Sequence, residues 1–153
     1  MFVRDRSGRT AYISWWPDPE SRETRAYHPK IPKAYDSYPI AERDYESDKA
    51  NEYDKDADHT IEITGLDEEK IIDHWENFTL EQNGVRKKSG PLQPWSAINL
   101  NCSTVVFNAL VAGGASKVAM NYWFSKYWTP NRVLEFAQNT KHHLHIERNN
   151  RKK

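Results

Sequence analysis

The sequence predicts an α+β fold built as a single domain. Three observations carry that prediction. The segment 10-TAYISWW-16 alternates and is made of β-forming side chains. The segments 66-LDEEKIIDHWENF-78 and 128-WTPNRVLEFAQNT-140 place apolar residues at helical spacing. Between them, 100-LNCSTVVFNALVAGGA-115 is an apolar run that opens on Asn and closes on Gly-Gly, as a buried helix does. At 153 residues the chain is long enough to enclose one hydrophobic core.

In chain order, Ala11, Ile13 and Trp15 share one face of the first strand, and Tyr12, Ser14 and Trp16 the other; Pro17 and Pro19 end it. Residues 18–58 are rich in Pro, Tyr and charge without an apolar period, so a long charged loop is expected. Its last part, 41-AERDYESDKANEYDKDAD-58, is net acidic and reads as a solvated face. In 59-HTIEIT-64, Ile61 and Ile63 point one way, which predicts a second strand, and Gly65 turns the chain. The next helix has Asp67 as its cap, Glu68 and Glu69 in its first turn, and Ile71, Trp75 and Phe78 as its apolar stripe. Residues 83–94 read as a loop. The central helix begins near Asn101, buries Val105, Val106, Ala109 and Leu110, and stops at Gly113-Gly114. The last helix has Thr129 as cap and Pro130 in its first turn. The domain is expected to span 1–140, with 141–153 as a basic tail, unstructured or a short edge strand.

Lys plus Arg and Asp plus Glu each number 22, so nothing argues for nucleic acid or an anionic membrane as an obligatory partner. The single Cys cannot form an internal disulfide. The chain has no uninterrupted apolar run of about 18 residues, so no transmembrane segment is expected. Its start, 1-MFVRDRSGRT-10, lacks the apolar centre of a signal peptide. The expectation is a cytoplasmic protein in the producing cell, or one secreted without a cleaved signal. No Cys/His spacing suits a structural metal, no Gly-rich loop opens a helix, and no Gly-x-Ser-x-Gly elbow is present. No metal or other cofactor is expected.

Cys102 stands where a helix begins. There the free backbone N–H groups and the helix dipole favour a thiolate, and the same N–H groups can hold an oxyanion. Asn101 and Ser103 add small polar neighbours. A free Cys on an apolar helix is equally at home as a buried filler. Trp16 and Trp95 lie at the ends of elements and are candidates to line a substrate groove.

The segments 12-YISWWP-17, 63-ITGLDEEKIIDHW-75, 100-LNCSTVVFNALVAGGA-115 and 128-WTPNRVLEFA-137 together resemble a group of bacterial papain-like domains. These have the permuted NlpC/P60 arrangement, related in layout to lecithin:retinol acyltransferase-like proteins, and occur in large toxins and secreted effectors. The resemblance runs from about Thr10 to Thr140 and implies a papain-like fold: a central Cys-bearing helix packed on a small antiparallel sheet. It implies a thiol hydrolase or acyltransferase acting on an amide, ester or thioester, with Cys102 as nucleophile. Its partners would be a peptide, peptidoglycan or lipid acyl substrate, an immunity protein, or an N-terminal segment that completes the site.

The sequence departs from that pattern at the base. Permuted members carry the catalytic His on a strand just upstream of the Ser-Trp-Trp-Pro strand. Here only Arg4, Asp5, Arg6 and Ser7 closely precede Gly8, and none is a suitable base. The sequence offers three substitutes. His143, His145 and Glu147 share one face if 143-HLHIE-147 is extended, His59 follows Asp58, and His28 lies in the long loop. His74 reads as a surface residue. The alternative is a non-catalytic or incomplete member that serves as a binding module.

Overall fold

A computed structural model describes residues 1–15, 44–77, 81–82, 85–86, 90–91, 99–122 and 127–152. The α+β expectation holds. Two short strands, β1 (Phe2–Arg4) and β2 (Thr10–Tyr12), form an antiparallel hairpin in which Val3 faces Ala11. Its turn places Gly8 at φ 91°, with the Gly8 N–H donating to the Asp5 carbonyl at 3.1 Å. The pairing runs on past β2, because Met1 and Ile13 exchange two backbone hydrogen bonds of 2.7 Å. Ile13 and Trp15 enter the core, while Tyr12 and Ser14 take the opposite face, as the alternation requires.

Helix α1 (Tyr45–Asn51) falls within the segment expected to be loop. Its sequence is charged all round, so it lacks an apolar stripe; Asp44 starts it by accepting the Ser47 N–H at 2.7 Å. Helix α2 (Glu68–Glu76) is capped by Asp67 as expected, with the Lys70 N–H donated at 3.1 Å. It buries Ile71, Ile72 and Trp75; Phe78 lies outside the described residues. The segment 59–64 is not a strand. Ile61 and Ile63 do turn inward, but no ladder partner lies beside them among the described residues. A second antiparallel pair, β3 (Glu81–Gln82) and β4 (Val85–Arg86), puts Val85 and Arg86 of the expected loop into a strand.

Helix α3 (Cys102–Leu110) leads into a wide turn, Val111–Ala115, where Gly114 adopts φ 107°. The short helix α4 (Ser116–Ala119) and one 3-10 turn (Met120–Tyr122) follow. The stretch Cys102–Ala119 is long and apolar enough by composition to cross a membrane. This revises the sequence expectation on that point. Within this fold the stretch is bent at Gly114 and supplies Val105, Ala109, Leu110, Ala115, Val118 and Ala119 to the core.

Helix α5 (Pro130–Asn150) starts with the Thr129 cap and Pro130 as expected, but it does not stop near Thr140. The reading of 141–153 as unstructured or extended is corrected: helix continues through Asn150. Leu144 sustains the apolar contact there, and the Glu147–Lys117 pair (2.7 Å) ties this end to α4.

Helix α3 packs chiefly on α5 and α2, and the β1–β2 hairpin lies on α2. The Cys-bearing helix is therefore central, as expected, while the hairpin adjoins it largely through α2. Arg9 fastens that contact, pairing with Asp73 (2.9 Å) and Glu76 (3.7 Å). Aromatic rings fill the α3–α5 seam. Phe107 stacks on Trp128 with centroids 3.8 Å apart, and Phe136 meets Phe107 edge-on at 4.9 Å.

Candidate functional site

Cys102 is the first residue of α3 and is half-buried, with its apolar neighbours in the core below it. Asn101 builds the start of the helix. Its backbone is extended (φ −107°, ψ −179°), and its Oδ1 accepts the Thr104 N–H at 3.0 Å. Its Nδ2 donates to the Trp128 carbonyl at 2.8 Å. Both ends of the Asn101 amide are thus engaged in positioning Cys102. Ser103 is buried rather than facing an open cleft. In a helix of this geometry the N–H groups of Cys102 and Ser103 have no carbonyl of the same helix to bond.

A carboxylate that the sequence did not single out is held on the outward face of the first strand. Asp48 Oδ2 accepts the Tyr12 hydroxyl at 2.8 Å and the Ser14 hydroxyl at 2.6 Å. The Met1 amino group, which donates to the Ile13 carbonyl at 2.7 Å, interacts electrostatically with Asp48 and Cys102. Burial lowers its pKa, while the electrostatic interactions with Asp48 and Cys102 act in the opposite direction. Tyr12, Ser14 and Asp48 thus form one hydrogen-bonded cluster, and the Met1 amino group interacts electrostatically with both Asp48 and Cys102. The sequence signal for Asp48 was weak, since it is one of many acids in an acidic stretch. The outward face of the strand, Tyr12 and Ser14, was the available clue.

The candidate bases separate clearly. His143 sits on α5, with Nε2 3.4 Å from Glu147 Oε1. The two are neighbours by helical spacing and not along a strand. Asn101 holds the start of α5, and His143 lies 13 residues beyond Pro130, roughly 20 Å along the axis at 1.5 Å per residue. The fold therefore does not bring His143 to Cys102, nor His145, one residue beyond it. His59 is exposed, and its neighbour Asp58 pairs with Lys55 at 2.7 Å. Among the described residues no histidine hydrogen-bonds or ion-pairs with Cys102. His28, Trp16 and Trp95 lie outside the described residues. His74 is half-buried on α2, and burial lowers its pKa. No group of three or more His, Cys, Asp or Glu among the described residues could hold a metal ion.

Residues 39–153, which include Asp48, Cys102 and all of α5, match the IcsB middle domain. The chain belongs to the IcsB middle domain family. It is also similar to the multifunctional-autoprocessing repeats-in-toxin proteins of Vibrio cholerae and Vibrio vulnificus, at 30% identity over 95 residues in each case. Those 95 residues are 61% of this chain but 2% of either toxin. The likeness is thus to one small region of a very long protein. No solved structure matches this member of the family.

Proposed function

We propose that this chain is a cysteine-dependent hydrolase or acyltransferase domain of the bacterial toxin or effector type, with the permuted papain-like layout. The observation that carries the reading is the placement of Cys102. It is the first residue of a capped helix and partly accessible. Kinship with the IcsB middle domain and the two Vibrio toxins supports the effector role.

In this reading Cys102 Sγ attacks the carbonyl carbon of an amide, ester or thioester. The developing oxyanion accepts from the Cys102 and Ser103 N–H groups. The leaving group departs with a proton from the base, and water or an amine then takes the acyl group from sulfur. Asn101 positions the nucleophile. Asp48, fixed by its two hydroxyl donors, takes in this reading the role of orienting the base. The papain-like layout assigns the base to a His on the strand before Ser14; β1, the strand in that position of the chain, holds none.

The test is acyl transfer or hydrolysis measured on model thioesters, with cell toxicity as a second readout. Cys102→Ala should abolish both and leave the circular dichroism spectrum unchanged; a fully active Cys102→Ala chain would overturn the reading. A second reading is a binding module. It is favoured by the lack of a histidine bonded to Cys102 among the described residues. The gene sequence upstream of the Met1 codon, together with His28→Ala, separates the two. An in-frame His strand or a loss of activity in His28→Ala supports the enzyme; neither, with no turnover, supports the binding module.

A further inference from the structure

A groove of ≈ 400 Å³ lies between the 60–64 segment and the second half of α5. Lys141, His142, His145 and Arg148 line it from one face of the helix, at spacings of one, three and three residues. Thr60 and Thr64 line the opposite side. No Asp or Glu is among the described residues that line it. Two of the cationic or imidazole groups have fixed orientations. The Arg148 guanidinium is held by Thr64 Oγ1 at 3.2 Å. His145 Nε2 lies 3.0 Å from Asn149 Nδ2. The amide nitrogen can only donate, so Nε2 accepts and the imidazole N–H sits on Nδ1, available as a donor. The groove begins at Gln138, about 12 Å along α5 from the end held beside Cys102, so it is separate from the candidate active site.

We propose that this groove binds a phosphate-bearing anion. A tetrahedral dianion presents several acceptor oxygens, which suits charge-assisted donors from the helix and hydroxyl donors from the facing segment. Arg supplies a planar fork and Lys a mobile point charge, the pair that phosphate sites commonly combine. The volume admits a phosphorylated headgroup as readily as free phosphate.

The test uses the full chain with two probes: inorganic phosphate, and phosphatidylcholine vesicles with or without a phosphorylated inositol lipid. Amide shifts on phosphate addition should centre on Lys141, His142, His145 and Arg148. Lys141→Gln with His142→Gln should weaken binding about tenfold or more, as expected for lost charge-assisted bonds. Arg132→Gln, on α5 but outside the groove, should bind like the parent. Vesicle binding that requires the inositol lipid and is lost in the double variant assigns the phosphate to a lipid headgroup. Phosphate binding without vesicle binding assigns it to a soluble ligand. If neither probe binds, or if Arg132→Gln weakens binding equally, the site proposal is overturned. Both exchanges are on exposed side chains, and the circular dichroism spectrum reports whether the fold persists.

Discussion

The side-chain amide of Asn101 donates to the Trp128 carbonyl at 2.8 Å, while its oxygen accepts the Thr104 N–H at 3.0 Å. One residue thereby caps the helix that bears Cys102 and ties it to the start of α5. Asn101→Ala removes both contacts. A cap contributes about 1 kcal/mol and a part-buried hydrogen bond about as much, so the loss should be about 2 kcal/mol. Asn101→Asp keeps the cap and loses the donor, and should cost about half of that. Urea unfolding of the two variants measures the difference; equal losses would mean that the Thr104 cap contributes nothing.

Gly113 gives a packing prediction. A Cβ there would lie 2.6 Å from both Cδ1 and Cγ1 of Ile71, which is buried on α2. The Gly113 carbonyl also accepts the Asp67 N–H at 2.9 Å, so the wide turn and the α2 cap cannot easily separate. Gly113→Ala should destabilise by about 1–3 kcal/mol through overpacking. Adding Ile71→Val should recover part of the loss, giving a favourable coupling in a double-mutant cycle. Strictly additive losses would place the strain elsewhere.

These two sites show what the sequence could and could not convey. Caps were legible because Asp67, Asn101 and Thr129 satisfy backbone donors locally. The strand face was legible because Ile13 and Trp15 alternate with Tyr12 and Ser14. Helix α1 was not, since it has no apolar stripe and is started by Asp44 alone. The end of α5 was hidden for the same reason, because past Thr140 its residues are mostly polar and its anchorage to α4 is the long-range Lys117–Glu147 pair. The segment 59–64 failed in the other direction, because alternation reports burial and not a ladder partner. At the candidate site, Cys102 and Asn101 were readable from local pattern. Asp48 was not, because its meaning comes from hydroxyls 34 and 36 residues away.

Stability should fall in two steps as the pH drops. Burial holds His74 below the ordinary value of 6.5, so the folded state prefers the neutral ring. Its contribution is present above 6.5 and is lost as the pH falls through the lower, folded value. The Lys117 hydrogen bond holds the Glu147 carboxyl below 4.5. That contribution is present above 4.5 and disappears at more acidic pH. Thermal unfolding from neutral to about pH 3 should show both steps. His74→Gln should remove the upper step, and Glu147→Gln should shrink the lower, to which Asp5, Asp44, Asp56, Asp58 and Asp67 also contribute; unchanged profiles would contradict the assignments.

Asp48 tests the composition of the site independently of the nucleophile. Asp48→Asn retains a side-chain oxygen for one of the Tyr12 and Ser14 hydroxyls but removes the charge. Stability should change by about 1 kcal/mol, the scale of one hydrogen bond. Thioester turnover should fall by about tenfold or more if the carboxylate orients the base. Turnover equal to that of the parent would remove Asp48 from the site.

The central claim is that Cys102 is a nucleophile and not a buried filler. The most direct measurement is the rate of chloroacetamide labelling of Cys102, compared between the folded chain and the chain in denaturing urea, with intact mass as the readout. An activated thiol at the start of α3 predicts faster labelling in the folded state. Slower labelling in the folded state than in urea would contradict the claim.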